Sequence, residues 1–225
     1  MGASDAYTRN RLETLGTALV CDVLDSLGHR TSFLGPQVMA MWPAGPMAGW
    51  AVTIECHRVE PAGSPNERPN GGPYGVLFEA LAERHDGAVL VIRAGDRDSG
   101  VWGELLSVAA RARGIVGVVT DGLTRDLTAI TELEFPIHAT GTSPTDSAGR
   151  QDFVAHGSSI EMGGITVTPG DWIVADELGA VVVPAQTVDR VIELGEEKQR
   201  GESVVRAELE AGDDLGEVFR RHGIL

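Results

Sequence analysis

Arg125 and Asp126 close a polar stretch, Thr120-Asp121-Gly122-Leu123-Thr124-Arg125-Asp126, that follows a run of apolar residues. A guanidinium can stabilise an oxyanion. A carboxylate beside it can ligate a hard divalent cation that keeps several of its waters. On residue type alone the pair is equally a surface ion pair in a turn, and Asp121-Gly122 reads as a turn device rather than a ligand. Upstream, Trp102-Gly103-Glu104-Leu105-Leu106 opens a helical pattern. The first backbone N–H groups of a helix lack internal partners and carry a partial positive charge, which suits a carboxylate or phosphate. Gly103 removes bulk where a ligand would approach those amides. Glu104, on the first turn, either complements the helix dipole or holds water at a metal.

The elements around these residues decide whether they meet. Ala88–Ile92 reads as a buried strand, Trp102 to Arg113 as a helix capped by Gly114, and Ile115–Val119 as a second buried strand. Strand, loop, helix, strand is a βαβ unit with a right-handed parallel crossover. The loops Gly95–Gly100 and Thr120–Asp126 then leave the carboxyl ends of neighbouring parallel strands, where ligands gather in open α/β sheets. Elsewhere, leucines and valines from Leu12 to Leu27 predict a helix ending at Gly28, Ala51–Ile54 a strand, and Val76 to Arg84 a helix. Phe135–Ala139, Ile165–Thr168, Trp172–Ala175 and Ala180–Val183 predict short strands, and Thr187 to Leu209 a long polar helix. Pro61 to Gly75 reads as a long loop of the kind that is usually functional or mobile. With no repeat or linker, residues 1–225 read as a single domain.

Composition narrows the function classes. The chain has 225 residues and a net charge of −15, which argues against gripping nucleic acid phosphates or an anionic membrane surface. Its 11 aromatic side chains (5 Phe, 4 Trp, 2 Tyr) are too few for base-stacking platforms. Two cysteines, Cys21 and Cys56, make no disulfide scaffold and fit a reducing cytoplasm, with Cys21 expected as a buried small hydrophobe. No secretory leader is read at the start, and the longest apolar runs are too short to cross a bilayer. The 29 glycines, without a period, predict many tight turns.

Other candidate sites are weaker. The six histidines show no metal-ligand spacing, Ser158-Ser159 has no nucleophile-elbow context, and Gly63–Gly75 lacks the strand–turn–helix setting of a nucleotide fingerprint. Asp146 and Arg150 lie in a polar loop after a strand, where they either line a substrate pocket or bridge the loop internally.

Trp102-Gly103-Glu104-Leu105-Leu106, Gly114 to Gly122 and Arg125-Asp126 together resemble the RraA-like family. Further matches are Pro73-Tyr74-Gly75, Phe135-Pro136, Pro144 to Arg150, Gly163-Gly164-Ile165, Pro169-Gly170-Asp171 and Asp176 through Val183-Pro184. The family contains 4-hydroxy-4-methyl-2-oxoglutarate aldolases, oxaloacetate decarboxylases and the regulator of ribonuclease E. The resemblance implies an α/β class with a layered α/β/β/α swivelling-type domain and a C-terminal helix. It implies that the amides of Gly103, Glu104, Leu105 and Leu106 bind the carboxylate of a pyruvyl group, with Asp146 and Arg150 as further pocket residues. Arg125 would stabilise an enolate, Asp126 would ligate Mg²⁺ or Mn²⁺, and Glu104 would hold a metal water. It also implies a homotrimer or hexamer with sites between subunits, in which an acid of the neighbour's last helix contributes. Glu202 is the matching residue, although it can equally pair with Arg206 on its own helix.

These readings converge on a divalent-metal-dependent lyase acting on a small 2-oxo acid. The rival is a non-catalytic regulatory protein whose acidic surface engages a basic partner. Such a protein has no need of a metal acid beside an anion site. A methyltransferase ranks below both, for want of a glycine-rich loop after the first strand.

Overall fold

A computed structural model describes residues 3–59 and 74–224. Most of the expected Pro61–Gly75 loop, Pro73 included, lies outside the described residues. The chain opens with α1 (Ala3–Ser26), then β1 (Met39–Ala40), β2 (Met47–Arg58) and α2 (Gly75–Ala80). Next come β3 (Ala88–Arg93), β4 (Gly100–Trp102), α3 (Glu104–Ala112), β5 (Gly117–Thr120), β6 (Leu123–Thr124), α4 (Leu127–Glu132) and β7 (Ile137–Ala139). The remainder is β8 (Gln151–His156), β9 (Ile160–Met162), β10 (Ile165–Val167), β11 (Trp172–Asp176), β12 (Gly179–Val183), α5 (Val188–Glu210) and α6 (Leu215–His222).

The main sheet runs β1-β7-β5-β3-β2-β11-β12, with β8 also pairing β2. Pairs β2–β3, β3–β5 and β5–β7 are parallel, and β11 joins β2 and β12 antiparallel. This is the mixed α/β class with a C-terminal helix that the sequence predicts. The β3 run Ala88-Val89-Leu90-Val91-Ile92 is buried on both faces, as a central parallel strand requires. Leu90 and Ile92 pack with Val76, Leu77, Trp102, Ala110 and Ile130 on the α2–α4 side. Val89 and Val91 pack on the other side with Leu34, Val38 and the β9–β10 hairpin residues Ile160, Met162 and Val167. Helices α1 and α5 cover β11 and β12 through Leu12, Leu19, Leu24, Val191 and Ile192.

Several boundaries depart from expectation. Helix α1 is broken at Gly16 (φ 73°, ψ 170°), where the Asp176 carboxylate accepts the Thr17 N–H at 2.8 Å and its hydroxyl at 2.6 Å. A side chain from a distant strand thus caps the second half of the helix. Helix α2 stops at Ala80, short of Arg84, and α3 begins at Glu104 because Gly100 to Trp102 is drawn into β4. Cys21 is half-buried rather than buried, and Cys56 is buried. Among the described residues no helix is long and apolar enough to cross a membrane.

Candidate active site

The two rim loops are joined by a short parallel pairing of β4 with β6. The Arg125 N–H donates to the Trp102 carbonyl at 2.9 Å, and the Thr124 hydroxyl donates to the same oxygen at 3.2 Å. The start of α3 and the Arg125-Asp126 pair are therefore fixed side by side. Trp102 anchors the turn from beneath: its buried indole N–H donates to Ser107 Oγ at 2.8 Å, and that hydroxyl donates to the Gly103 carbonyl at 3.0 Å. Gly103, at the N-cap of α3, has no side chain with which to cap the first turn, and Glu104 is the first-turn acid. Leu105 is 78% exposed there, unusual for a large aliphatic side chain.

Asp126 has a left-handed backbone (φ 57°, ψ 32°), one of two such non-glycine residues among those described. That conformation costs free energy even for Asp, so the surrounding contacts must hold it. It precedes α4 yet makes no capping bond; instead its Oδ2 accepts the Glu104 N–H at 3.3 Å and lies 3.4 Å from Arg125 Nε. The Arg125 guanidinium reaches Asp146 Oδ2 through NH1 at 3.2 Å. Burial opposes the Arg125 charge, but Asp146 and Asp126 outweigh it and raise its pKa.

Asp146 is held against the rim because its loop bridges β4, where the Gly100 N–H donates to the Thr145 carbonyl at 2.9 Å. Its Oδ1 accepts the Ala148 N–H and the Tyr74 hydroxyl, both at 3.0 Å, and Tyr74 also lies 3.3 Å from Ser147 Oγ. The Ala148 N–H, the Tyr74 hydroxyl and Arg125 hold the Asp146 carboxyl below the usual carboxylate range, against the effect of burial. Burial and the Asp146 charge push the Tyr74 phenol up, so it remains a protonated donor.

These groups line one cavity of about 420 Å³, whose apolar wall includes Phe78, Leu105 and Leu106. The structure thus gathers Gly103, Glu104, Leu105, Leu106, Arg125, Asp126 and Asp146. It separates Arg150, whose NH1 donates back to the Asp146 carbonyl at 2.9 Å and which lines a second cavity with Arg58, Asp96 and Asp98. Internal bridging wins for Arg150 because that carbonyl, four residues back, satisfies its guanidinium locally. Glu202, on α5, lines a different cleft with Val205, Arg206 and Leu209, and its ion partner is Lys198 at 3.9 Å rather than Arg206. Asp121 is buried and braces the other rim loop, accepting the Ala94 N–H at 2.7 Å and pairing with Arg97 at 3.0 Å. Sequence reasoning gives Phe78 no role and places Tyr74 and Ser147 near the pocket only as members of the stretches Pro61–Gly75 and Asp146–Arg150, without singling them out. The available signal was a tyrosine at the end of the Pro/Gly-rich stretch, directly before a short helix.

Among the described residues no three or more His, Cys, Asp or Glu side chains converge as a metal cage. Asp126, which lines the cavity, offers one carboxylate, 44% exposed. One carboxylate with room for water and ligand oxygens fits Mg²⁺ or Mn²⁺ and does not fit a structural zinc or an EF-hand calcium.

A family model described as RraA-like, Aldolase/RraA, matches residues 17–182. A protein of Halalkalibacterium halodurans named "Putative 4-hydroxy-4-methyl-2-oxoglutarate aldolase" is 31% identical over 84% of this chain and 82% of its own length. Among solved structures, an uncharacterized protein of Pseudomonas syringae pv. tomato superposes with a TM-score of 0.83 at 26% identity, covering 96% of this chain and 94% of its own. Streptomyces coelicolor RraAS2, described as an unusual member of the RNase ES inhibitor RraA protein family, superposes with a TM-score of 0.77 at 29% identity over 88% of this chain and 96% of its own.

Proposed function

The chain belongs to the RraA-like family, and from that premise we propose that it is a divalent-metal-dependent lyase that cleaves the C3–C4 bond of a 2-oxo acid. The reaction would be retro-aldol cleavage of the 4-hydroxy-4-methyl-2-oxoglutarate type, decarboxylation of oxaloacetate, or both. The observation that carries this reading is the junction of Asp126, Arg125 and the start of α3 in one cavity.

The amides of Leu105 and Leu106, with that of Glu104 shared with Asp126, bind the substrate carboxylate at the positive end of α3. Gly103 leaves the approach open. Arg125 donates to the 2-oxo oxygen, which gains negative charge as the C3–C4 electron pair moves into the pyruvate enolate. Retro-aldol cleavage and decarboxylation share that enolate, so one set of donors serves both. Asp126 holds Mg²⁺ or Mn²⁺, which when bound supplies Lewis-acid polarisation of the substrate oxygens. Glu104 accepts a hydrogen bond from a water beside Asp126 and moves the proton that the enolate requires. The active unit is a homotrimer or hexamer in which Glu202 of a neighbouring copy adds a second acid at that water.

The test is pyruvate release from oxaloacetate and from 4-hydroxy-2-oxo acids, with Mg²⁺ and with excess EDTA. Release with Mg²⁺ that stops on chelation is the expected result. No release from either class would leave the regulatory reading in possession.

A further inference from the structure

Arg125 is the donor on which the proposed reaction turns, and a guanidinium on a long side chain reaches one oxygen accurately only if something fixes its plane. Two carboxylates do so here. Asp126 Oδ2 lies 3.4 Å from Nε, and Asp146 Oδ2 lies 3.2 Å from NH1. The group is planar, so tying two of its nitrogens fixes the third and the direction of every remaining N–H. The Asp126 carboxylate also accepts the Glu104 N–H and, in the proposed reaction, holds the metal. The tie that is independent of metal loading is the one to Asp146.

Asp146 is itself built into its place. Its Oδ1 accepts the Tyr74 hydroxyl and the Ala148 N–H, both at 3.0 Å, which leaves Oδ2 turned to Arg125. The backbone beside it is pinned to β4 by the bond from the Gly100 N–H to the Thr145 carbonyl at 2.9 Å. Tyr74 is braced in turn by Phe153, whose ring centroid lies 5.8 Å away. The donors around the carboxyl keep it ionised. A rigid anion therefore faces the one end of the guanidinium that Asp126 does not hold.

We propose, resting on the lyase reading, that Asp146 is a positioning residue for Arg125: held by Tyr74 and the Ala148 N–H, it aims the guanidinium at the oxygen that takes up charge in the enolate. Its contribution is geometric, and its charge works the other way, because an anion in the cavity weakens the binding of an anionic ligand. The two effects have opposite signs. Removing the charge at nearly constant shape separates them.

The test is oxalate binding by calorimetry to the full-length protein with Mg²⁺, beside steady-state pyruvate release. Oxalate is a planar dianion with the shape of the pyruvate enolate, and it is not turned over. Asp146→Asn should weaken oxalate binding by about tenfold and lower kcat by a similar factor, the low end of what loss of a supporting contact costs at such sites. KM should stay near the wild-type value, and Asp146→Glu, which restores the carboxylate, should recover part of both losses. With Arg125→Lys already in place, Asp146→Asn should cost little more, because the two changes remove one interaction. Tighter or unchanged oxalate binding in Asp146→Asn, or a full further loss in the Arg125→Lys background, overturns the inference and leaves the lyase reading intact. Weakened oxalate binding in Asp146→Asn with no pyruvate release by the wild type overturns the lyase reading and leaves the positioning role standing. A wild type that binds no oxalate overturns both. Should Asp146→Asn fail to fold, Tyr74→Phe removes one of the donors that fix Asp146 and decides by the same sign of change in oxalate binding.

Discussion

Gly103 lies against Asp126 so closely that a β-carbon on it would stand 2.7 Å from the carboxylate Oδ2 and 3.2 Å from Arg125 Cγ. The Gly103 backbone is extended (φ −156°, ψ −174°), so space and not conformation requires glycine here. Both obstructing atoms belong to side chains that can rotate. Gly103→Ala should therefore fold, with a melting temperature within a few degrees of wild type, while displacing the Asp126 carboxylate. Metal-dependent pyruvate release should fall by about tenfold, by analogy with the loss of a well-placed group beside a metal ligand. Asp126→Asn, which tolerates the same left-handed backbone, should abolish the divalent dependence altogether. Full activity of Asp126→Asn, or wild-type turnover in excess EDTA, would refute the metal role.

Arg125 presents two different guanidinium nitrogens to two carboxylates, Nε to Asp126 and NH1 to Asp146. Lysine keeps the charge but cannot span both with a fixed planar fork. Arg125→Lys should lower kcat by about 100-fold, the cost typical of removing one oxyanion donor. Steady-state kinetics separate this from a binding role, for which KM alone would rise.

Glu202 lines a cleft of its own within one chain, so its proposed role requires a second copy. Mixing Glu202→Ala chains with Asp126→Asn chains should restore part of the activity that each lacks alone, because some interfaces then hold both intact groups. Truncation before Thr187 should disrupt assembly and activity together. An active monomer by light scattering, or no recovery despite proven subunit exchange, counts against shared sites.

His138 carries a prediction about acid stability. Its ring is buried, Nε2 donates to the Asp176 carbonyl at 2.8 Å, and Nδ1 has no hydrogen-bond partner among the described residues. Burial pushes its pKa below the ordinary value near 6.5, against the pull of the Asp176 carbonyl and charge. The unfolded chain then binds the proton more readily than the folded one, so the contribution is fully present above about pH 6.5 and is lost as pH falls through the lowered folded value. Thermal melts at pH 7.5 and pH 5 should show a smaller acid-induced drop in His138→Gln than in wild type. An equal drop in both would show that the imidazole is not responsible.

Much of this molecule was legible in its sequence. The apolar runs of β3 and β5 and the helix between them follow from local periodicity, and the parallel crossover follows from their order. Arg125 and Asp126 are adjacent in the chain, so their shared position on the rim needed only the correct placement of one loop. The start of α3 was visible because a glycine, an acid and two leucines stand where a helix must begin. These features depend on neighbours a few residues away, which the sequence lists directly.

The rest was decided in three dimensions. The β4–β6 pairing that brings Gly103 onto Asp126, and that claims Gly100 to Trp102 from the predicted helix, joins segments whose registers no local pattern specifies. The break in α1 at Gly16 depends on Asp176, 159 or more residues away, presenting its carboxylate to Thr17. Asp146 and Arg150 sit in one loop and look interchangeable as pocket residues, yet the pairing with Gly100 turns the first towards Arg125 while a nearby carbonyl ties back the second. Tyr74 joins them only because α2 packs under β8, setting its ring 5.8 Å from that of Phe153. Side-chain direction at the end of a strand or loop depends on which distant backbone satisfies its hydrogen bonds, and that is known only once the chain has folded.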